Sequence, residues 1–331
     1  MKSLVTGASG FVGSAVARYL LDAGHEVRAL VRPESNRSNL NGLDVEITNG
    51  DLRDPDSLER ACKNCTYLFH VAADYRLWIP NPEVMYKINV DGTENLMLAA
   101  ANADIERIVY TSSVATLGYN RDNSPANEDT PTSLDTMIGH YKRSKFIAEQ
   151  KVKLMFEQYH LPVIIVNPST PIGPCDIRPT PTGKLIIDTL NNEMPAYVNT
   201  GLNIVHVDDV ARGHHLALQY GHIGERYILG GENRTLYQIL ETIDELTGVH
   251  KRRVRVPHKL ILPVAWCMEK ISAISKKEPR ATVDGVRMSQ KFMYFSSEKA
   301  VKTLGYAFRP ARLALQDAIQ WFIENGYVAQ Q

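Results

Sequence analysis

The chain lacks long apolar runs, an excess of either charge, and more than a few cysteines. Each absence removes a class of function. Lys and Arg number 37, as do Asp and Glu, so the formal net charge is +0. Nothing in the bulk electrostatics therefore points to nucleic acid. No apolar run reaches the roughly 20 residues of a membrane-spanning helix. The nearest candidate, Leu260 to Met268, is short and interrupted by Pro263. The sequence enters a strand-like stretch without a charged-then-apolar leader, which predicts a cytoplasmic protein. The four cysteines are Cys62, Cys65, Cys175 and Cys267. Cys62 and Cys65 form a lone C-x-x-C without a second pair for zinc, so reduced, structural cysteines and no metal are expected. Internal repeats and low-complexity linkers are missing too. Hydrophobic residues at 44% and charged residues at 22% are ordinary for a globular protein of 331 residues.

What is present starts at the N-terminus. Leu4-Val5 reads as a strand, and Gly7, Ser9, Gly10, Phe11, Val12 and Gly13 form a tight turn with the spacing Gly7-x-x-Gly10-x-x-Gly13. Ser14 to Ala23 then carries apolar residues at helical spacing. Strand, glycine turn and helix together make a phosphate cradle: backbone approaches a pyrophosphate closely and the helix N-terminus points N–H groups at it. Gly13 lets helix and strand pack closely.

Strand-like and helix-like segments alternate through the first half. Strands are expected at Glu26–Val31, Val45–Ile47, Tyr67–Ala73, Arg107–Ser112 and Val163–Val166, and long helices at Pro82–Ala103 and His140–Tyr159. This alternation predicts an α/β protein with a Rossmann-type doubly wound parallel sheet. From Pro168 prolines cluster and the pattern loosens. Residues 1–167 are read as the dinucleotide-binding domain and 168–331 as a smaller, partly interleaved substrate lobe. Asn203–Val207 and Arg226–Leu229 are expected to return to the sheet. A site in the cleft at the carboxyl ends of the strands follows.

The end of the second strand lacks the acidic residue that would grip a ribose 2′-OH. It reads Val31-Arg32-Pro33, with Arg37 five residues on. A guanidinium binds a 2′-phosphate that a carboxylate would repel, so NADP is favoured over NAD. Asp51 and Leu52 follow the third strand, where Asp51 could meet the adenine amino group. The small Ala72 and Ala73 let backbone pass close to the cofactor.

Tyr141 and Lys145 stand at i and i+4, on one face of a helix. A phenol titrates near a pKa of about 10, and a neighbouring ammonium draws it down towards an acid–base catalyst at neutral pH. A hydroxyl at the end of the preceding strand would bind the substrate oxygen. Ser112 and Ser113 are both candidates, and Ser113 is chosen.

Glycine turn, strand-end serines and Tyr-x-x-x-Lys together resemble the extended short-chain dehydrogenases/reductases, the NAD-dependent epimerase/dehydratase family, over essentially the whole chain. The resemblance includes Asn89 in Lys87-Ile88-Asn89-Val90-Asp91-Gly92-Thr93, and His206-Val207-Asp208-Asp209. It implies that Asn89 helps hold the lysine and a relay water. The stretches Ala72–Trp78, Ile138–Lys145 and Asn167–Pro174 are similar to a bacterial hopanoid-associated sugar epimerase branch commonly labelled dihydroflavonol-4-reductase-like. By that likeness Pro168, Ser169 and Thr170 line the nicotinamide. Tyr75, Trp78, His140 and Tyr197 are the candidates for contact with a small-molecule substrate.

Three reactions share this apparatus. Dehydration needs extra carboxylates, and Ser113-Val114-Ala115-Thr116 has none. NADP favours a reductase, which is chosen; a sugar epimerase is the alternative. A non-catalytic dinucleotide sensor would be expected to have lost Tyr141 or Lys145. The resemblance also implies a homodimer through the two long helices. The basic run His250–Arg255 reads as a solvated loop and edge strand. A hopanoid substrate would bring the protein to the periphery of the inner membrane.

Overall fold

The strands of the first half are buried on both sides along most of their length, except the edge strand Val45–Asn49, which has no fully buried residue. That pattern suits strands covered on two faces. The computed structural model, which describes residues 1–249, 251–275, 279 and 281–328, places these strands in one parallel sheet. Its first six strands are β1 (Lys2–Thr6), β2 (Glu26–Val31), β3 (Val45–Asn49), β4 (Tyr67–His70), β5 (Arg107–Thr111) and β6 (Val163–Pro168). They alternate with α1 (Phe11–Asp22), α2 (Pro55–Cys62), α3 (Pro82–Tyr86), α4 (Gly92–Asn102) and α5 (Gly139–Tyr159). The second half runs through β7 (Thr170–Ile172), α6 (Pro181–Leu190), β8 (Ala196–Tyr197), β9 (Gly201–His206), α7 (Val207–Tyr220) and β10 (Arg226–Leu229). It continues with β11 (Glu232–Thr235), α8 (Leu236–Thr247), β12 (Val254–Arg255), α9 (His258–Ser275), α10 (Val283–Met288), β13 (Phe292–Met293), α11 (Glu298–Leu304) and α12 (Ala311–Glu324).

The large sheet has the order β10-β6-β5-β4-β1-β2-β3. Val5, Phe69, Val109 and Ile164 pack on one face with Ala15, Val16 and Leu20 of α1 and Val210 and Ala217 of α7. Leu4, Leu68, Ile108 and Val163, their chain neighbours, pack on the other face with Leu58 of α2, Leu96 of α4 and Val152 of α5. A third cluster, with Ile172, Ile204, Ile239, Leu315 and Phe322, is the core of the second lobe. The two halves interleave, because α7 covers the first sheet and β10 extends it.

Three expectations are corrected. β9 does not return to the large sheet; it pairs with β7, β11 and β13 in a small one. The helix expected at Pro82–Ala103 is interrupted by a π turn at Lys87–Asp91, between α3 and α4. The strand expected through Ala73 ends at His70, because the amides of Val71 and Ala72 leave the ladder for the Thr6 hydroxyl (3.1 Å each). Of the basic run, His250 lies outside the described residues. Arg253 is taken up by Asp244 (2.6 Å), and Lys251 donates to the Thr189 carbonyl (2.9 Å).

Candidate active site

The glycine turn closes where β1 gives way to α1. Gly7 has φ +69°, a left-handed conformation that favours glycine, and Gly10 N–H donates to its carbonyl (2.8 Å). A Cβ on Gly13 would lie 2.1 Å from that same carbonyl, so no larger residue fits. Gly10 stands at the N-cap of α1 and no side chain caps the helix. The first-turn N–H groups are therefore free of a side-chain acceptor and suit a pyrophosphate. Ala72 passes directly under the turn: a Cβ on Gly7 would be 2.8 Å from its nitrogen.

A buried polar chain fixes that crossing. Thr6 Oγ1 accepts from both Val71 and Ala72 N–H, which leaves its own proton for His70 Nδ1, 2.8 Å away. His70 Nε2 then donates to Thr93 Oγ1 (2.9 Å), whose proton goes to the Asn89 carbonyl (2.7 Å). Burial, aided by the Lys145 ammonium, pushes the His70 pKa down to about 3, so the ring stays neutral. The sequence reading passed over His70 and Thr93.

Tyr141, Lys145 and Glu149 form one stripe on α5 at i, i+4 and i+8. Lys145 Nζ donates to the Thr111 carbonyl (2.9 Å) and the Tyr110 hydroxyl (3.2 Å), and lies 4.8 Å from the Tyr110 ring centre. Burial lowers its pKa to about 8, against the opposing pull of Glu149. Burial likewise raises the Tyr141 phenol above its ordinary value, and a hydrogen bond with the Ser113 hydroxyl draws it part of the way back. Ser113 lowers this phenol, while the Lys145 ammonium donates to Tyr110 and Thr111.

The two serines part company. Ser112 is buried and donates to Glu149 Oε2 (2.6 Å), whereas Ser113 Oγ accepts from Ala115 N–H (3.1 Å) and meets Tyr141. Glu149 is the hub beneath them. Its Oε2 also lies 2.8 Å from Thr116 Oγ1 and 3.1 Å from Asn167 Nδ2. Its Oε1 pairs with Lys153 (3.0 Å) and Arg226 (3.1 Å). Burial raises its pKa, but Lys153, Ser112 and Arg226 outweigh that and bring it down to about 2. Asn167 Nδ2 also donates to the Ser113 carbonyl (3.0 Å), so the hub sets the backbone that carries Ser113. Neither Glu149 nor Asn167 was singled out from the sequence, although Glu149 merely continues the Tyr141–Lys145 spacing by one more step.

Asn89 does not hold the lysine. Its Oδ1 accepts from Asp74 N–H (2.7 Å) and its Nδ2 donates to the Asp74 carbonyl (2.8 Å) and Ser144 Oγ (3.0 Å). It pins the chain leaving Ala73 against α5. Asp51 is chelated by Arg53 (2.8 and 2.7 Å), which draws its carboxyl down; the expected adenine contact would have to share it. Leu52 is buried, and its carbonyl accepts from Asn95 (3.1 Å). Arg32, half-buried just past the end of β2, comes within 3.5 Å of Glu34, and Arg37 donates to Asn49 (2.9 Å).

At the carboxyl end of β6, Pro168 pairs with Leu229, and Ser169 N–H donates to the Leu229 carbonyl (3.2 Å). Thr170 opens β7. Among the described residues the buried Ser169 hydroxyl has no partner, which suits this end of the cleft to a polar ligand; Asp176 Oδ1 is likewise unpartnered. Asn39 Nδ2 donates to the Cys175 carbonyl (2.9 Å) and reaches the Gly10 carbonyl (3.4 Å), joining the second lobe to the glycine turn. Tyr75 donates to the Arg178 carbonyl (3.2 Å), and burial raises its phenol above the ordinary value. Trp78 is partly buried on the same loop. His140 is exposed and engages Tyr86 (3.3 Å), and Tyr197 packs with its ring tilted against Tyr237 (5.6 Å between ring centres).

The family model described as NAD dependent epimerase/dehydratase family matches residues 3–230. A Synechocystis protein provisionally named dihydroflavonol 4-reductase is 47% identical, covering 99% of this chain and 96% of its own length. The sterol demethylase protein B of Methylococcus capsulatus is 34% identical, over 99% of this chain and 100% of that one. The crystal structure of gox2253 is 55% identical and matches with a TM-score of 0.90 over 99% of both chains.

Proposed function

Because this chain belongs to the NAD dependent epimerase/dehydratase family, we propose that it is an NADP-dependent reductase that turns a carbonyl into an alcohol, acting on a lipid of hopanoid side-chain metabolism. The observation that carries the reading is that Ser113, which lowers the Tyr141 phenol, follows β5 at the same carboxyl edge of the sheet as the glycine turn after β1, with Lys145 one helical turn beyond Tyr141. Gly7, Gly10 and Gly13 would hold the pyrophosphate, Ala72 and Ala73 would leave room for the dinucleotide, and Ser169 would hold its nicotinamide end. Bound there, the dinucleotide supplies the hydride. Ser113 hydrogen-bonds the substrate oxygen, and Tyr141 transfers its proton to that oxygen. Lys145 holds the cofactor ribose and returns the proton. Glu149 and Asn167 keep the Ser113 backbone in place. The names of the Synechocystis and Methylococcus relatives support reduction and a sterol-like substrate.

Purified protein is to be assayed with NADPH against a panel of carbonyl lipids and nucleotide sugars. Stoichiometric NADPH oxidation is expected. Isomer exchange without net oxidation would replace the reading by an epimerase. In the same assay Arg32→Asp should weaken NADPH more than NADH, since a carboxylate repels a 2′-phosphate. Equal affinity of the unaltered protein for both cofactors would remove the NADP assignment.

The reading includes a homodimer packed through α4 and α5, whose exposed Leu98 and Leu154 offer apolar contact. A monomer mass in sedimentation velocity would dismiss that part.

A further inference from the structure

Helix α9 of the second lobe is apolar on the side that the fold leaves uncovered. Leu260, Val264, Trp266 and Ile271 are 65%, 49%, 56% and 65% exposed, and Pro263 and Cys267 lie open between them. At 3.6 residues per turn these positions form one continuous arc of roughly 160°. Lys259 and Lys270, also exposed, sit together inside it, between Trp266 and the other five positions. The Lys270 ammonium lies 5.5 Å from the Trp266 ring centre. The opposite side turns inward: Ala265 and Ser272 are buried. The helix has a single acidic residue, Glu269, and its carboxylate is spent on the Val283 N–H of α10 (2.8 Å). The open face is therefore apolar and cationic, with no acid on it.

We propose that this face of α9 docks on the surface of an anionic phospholipid bilayer. The helix would lie in the plane of the interface, with Leu260, Val264, Cys267 and Ile271 at the acyl boundary. Lys259 and Lys270 would meet lipid phosphates, and Trp266 would sit at headgroup depth. An apolar arc flanked by lysines and a tryptophan is the composition that partitions in this way. Charge complementarity selects this occupant over a second copy of the chain. Two such faces packed together would bury ammonium groups without a counter-charge, which is costly. The placement also suits access to the cleft. α10 packs on α9 and carries Asp284 against Gly139, where a Cβ would lie 3.4 Å from the carboxylate, two residues before Tyr141. The docked helix pair thus borders the start of the catalytic helix. The inference stands whether or not the protein is a reductase.

The full-length protein is to be co-sedimented with vesicles of phosphatidylcholine alone and with phosphatidylglycerol added. Binding to the anionic vesicles, weakened by salt, is expected, with little binding to the zwitterionic ones. Lys259→Gln with Lys270→Gln should weaken partitioning about 25-fold, since each cation near an anionic surface contributes roughly fivefold. Leu260→Asp with Ile271→Asp should abolish it. All four side chains are exposed, so dinucleotide binding should be unchanged in both variants, which reports that they are folded. Absence of binding to anionic vesicles, or equal binding by the unaltered protein and both variants, would overturn the proposal. So would an oligomer that dissociates in the Leu260/Ile271 variant without lipid, because a second copy would then be the occupant.

Discussion

Tyr141→Phe is expected to lower turnover by ~10²–10⁴-fold, the usual contribution of general acid–base catalysis, while dinucleotide affinity stays near that of the unaltered protein. The substitution removes one hydroxyl and its proton and leaves the ring that fills the space. Lys145→Met provides the contrast. It removes the ammonium held between Tyr110 and Thr111, and should damage cofactor binding as well as turnover. Reduction needs the protonated phenol. Burial raises its pKa, so the phenol stays protonated at neutral pH and activity falls only as pH rises towards the alkaline side. Lys145, with a pKa brought to about 8, should add a second loss on the same side as it sheds its charge. Steady-state rates across pH, beside fluorescence titration of the dinucleotide, check both statements. Undiminished turnover in Tyr141→Phe would end the mechanism and move the search to His140, the neighbouring titratable group.

Glu149→Ala should be the most destabilising single change in the first lobe. It leaves Arg226 and Lys153 without their buried counter-charge and Ser112 without its acceptor, and it removes one of the acceptors within reach of Thr116 and Asn167. Breaking a buried pair by removing one partner costs about 3–5 kcal/mol. Urea unfolding should register that loss, and turnover should fall as well, because Asn167 and Thr116 also hold the Ser113 carbonyl. The acid side gives an independent reading. The Glu149 carboxyl titrates at about 2 in the folded protein, below the value of about 4.3 in an unfolded chain. A depressed folded value means stability fully present above the unfolded pKa and lost as pH falls towards the folded one. That difference is worth about 3 kcal/mol at 1.36 kcal/mol per unit. Glu149→Gln should therefore flatten the decline in stability between about pH 5 and pH 2. A decline running parallel in both proteins would show that the charge of Glu149 is not what the hub depends on.

What could be read from the sequence alone was what depends on near neighbours in the chain. The spacing of Gly7, Gly10 and Gly13 prescribes a turn because each glycine answers a clash within that same turn, as the Gly13–Gly7 approach shows. Tyr141 and Lys145 share a face because helical geometry puts i and i+4 there. The parallel sheet followed from the alternation of strands and helices. The tertiary structure decided what depends on partners far apart in the chain. Ser112 and Ser113 are chemically equal in the sequence; Glu149, more than thirty residues away, claims one and leaves the other to Tyr141. Asn89, expected at the lysine, instead spends its side chain on Asp74 and Ser144, partners 15 and 55 residues away. β9 reads like a strand of the large sheet, yet its backbone pairs with β7, β11 and β13, since β10 already takes the open edge of β6. The open arc of α9 is decided in the same way: helical spacing shows that its apolar residues share faces, but only the packing of α10 determines which face is buried and which meets solvent.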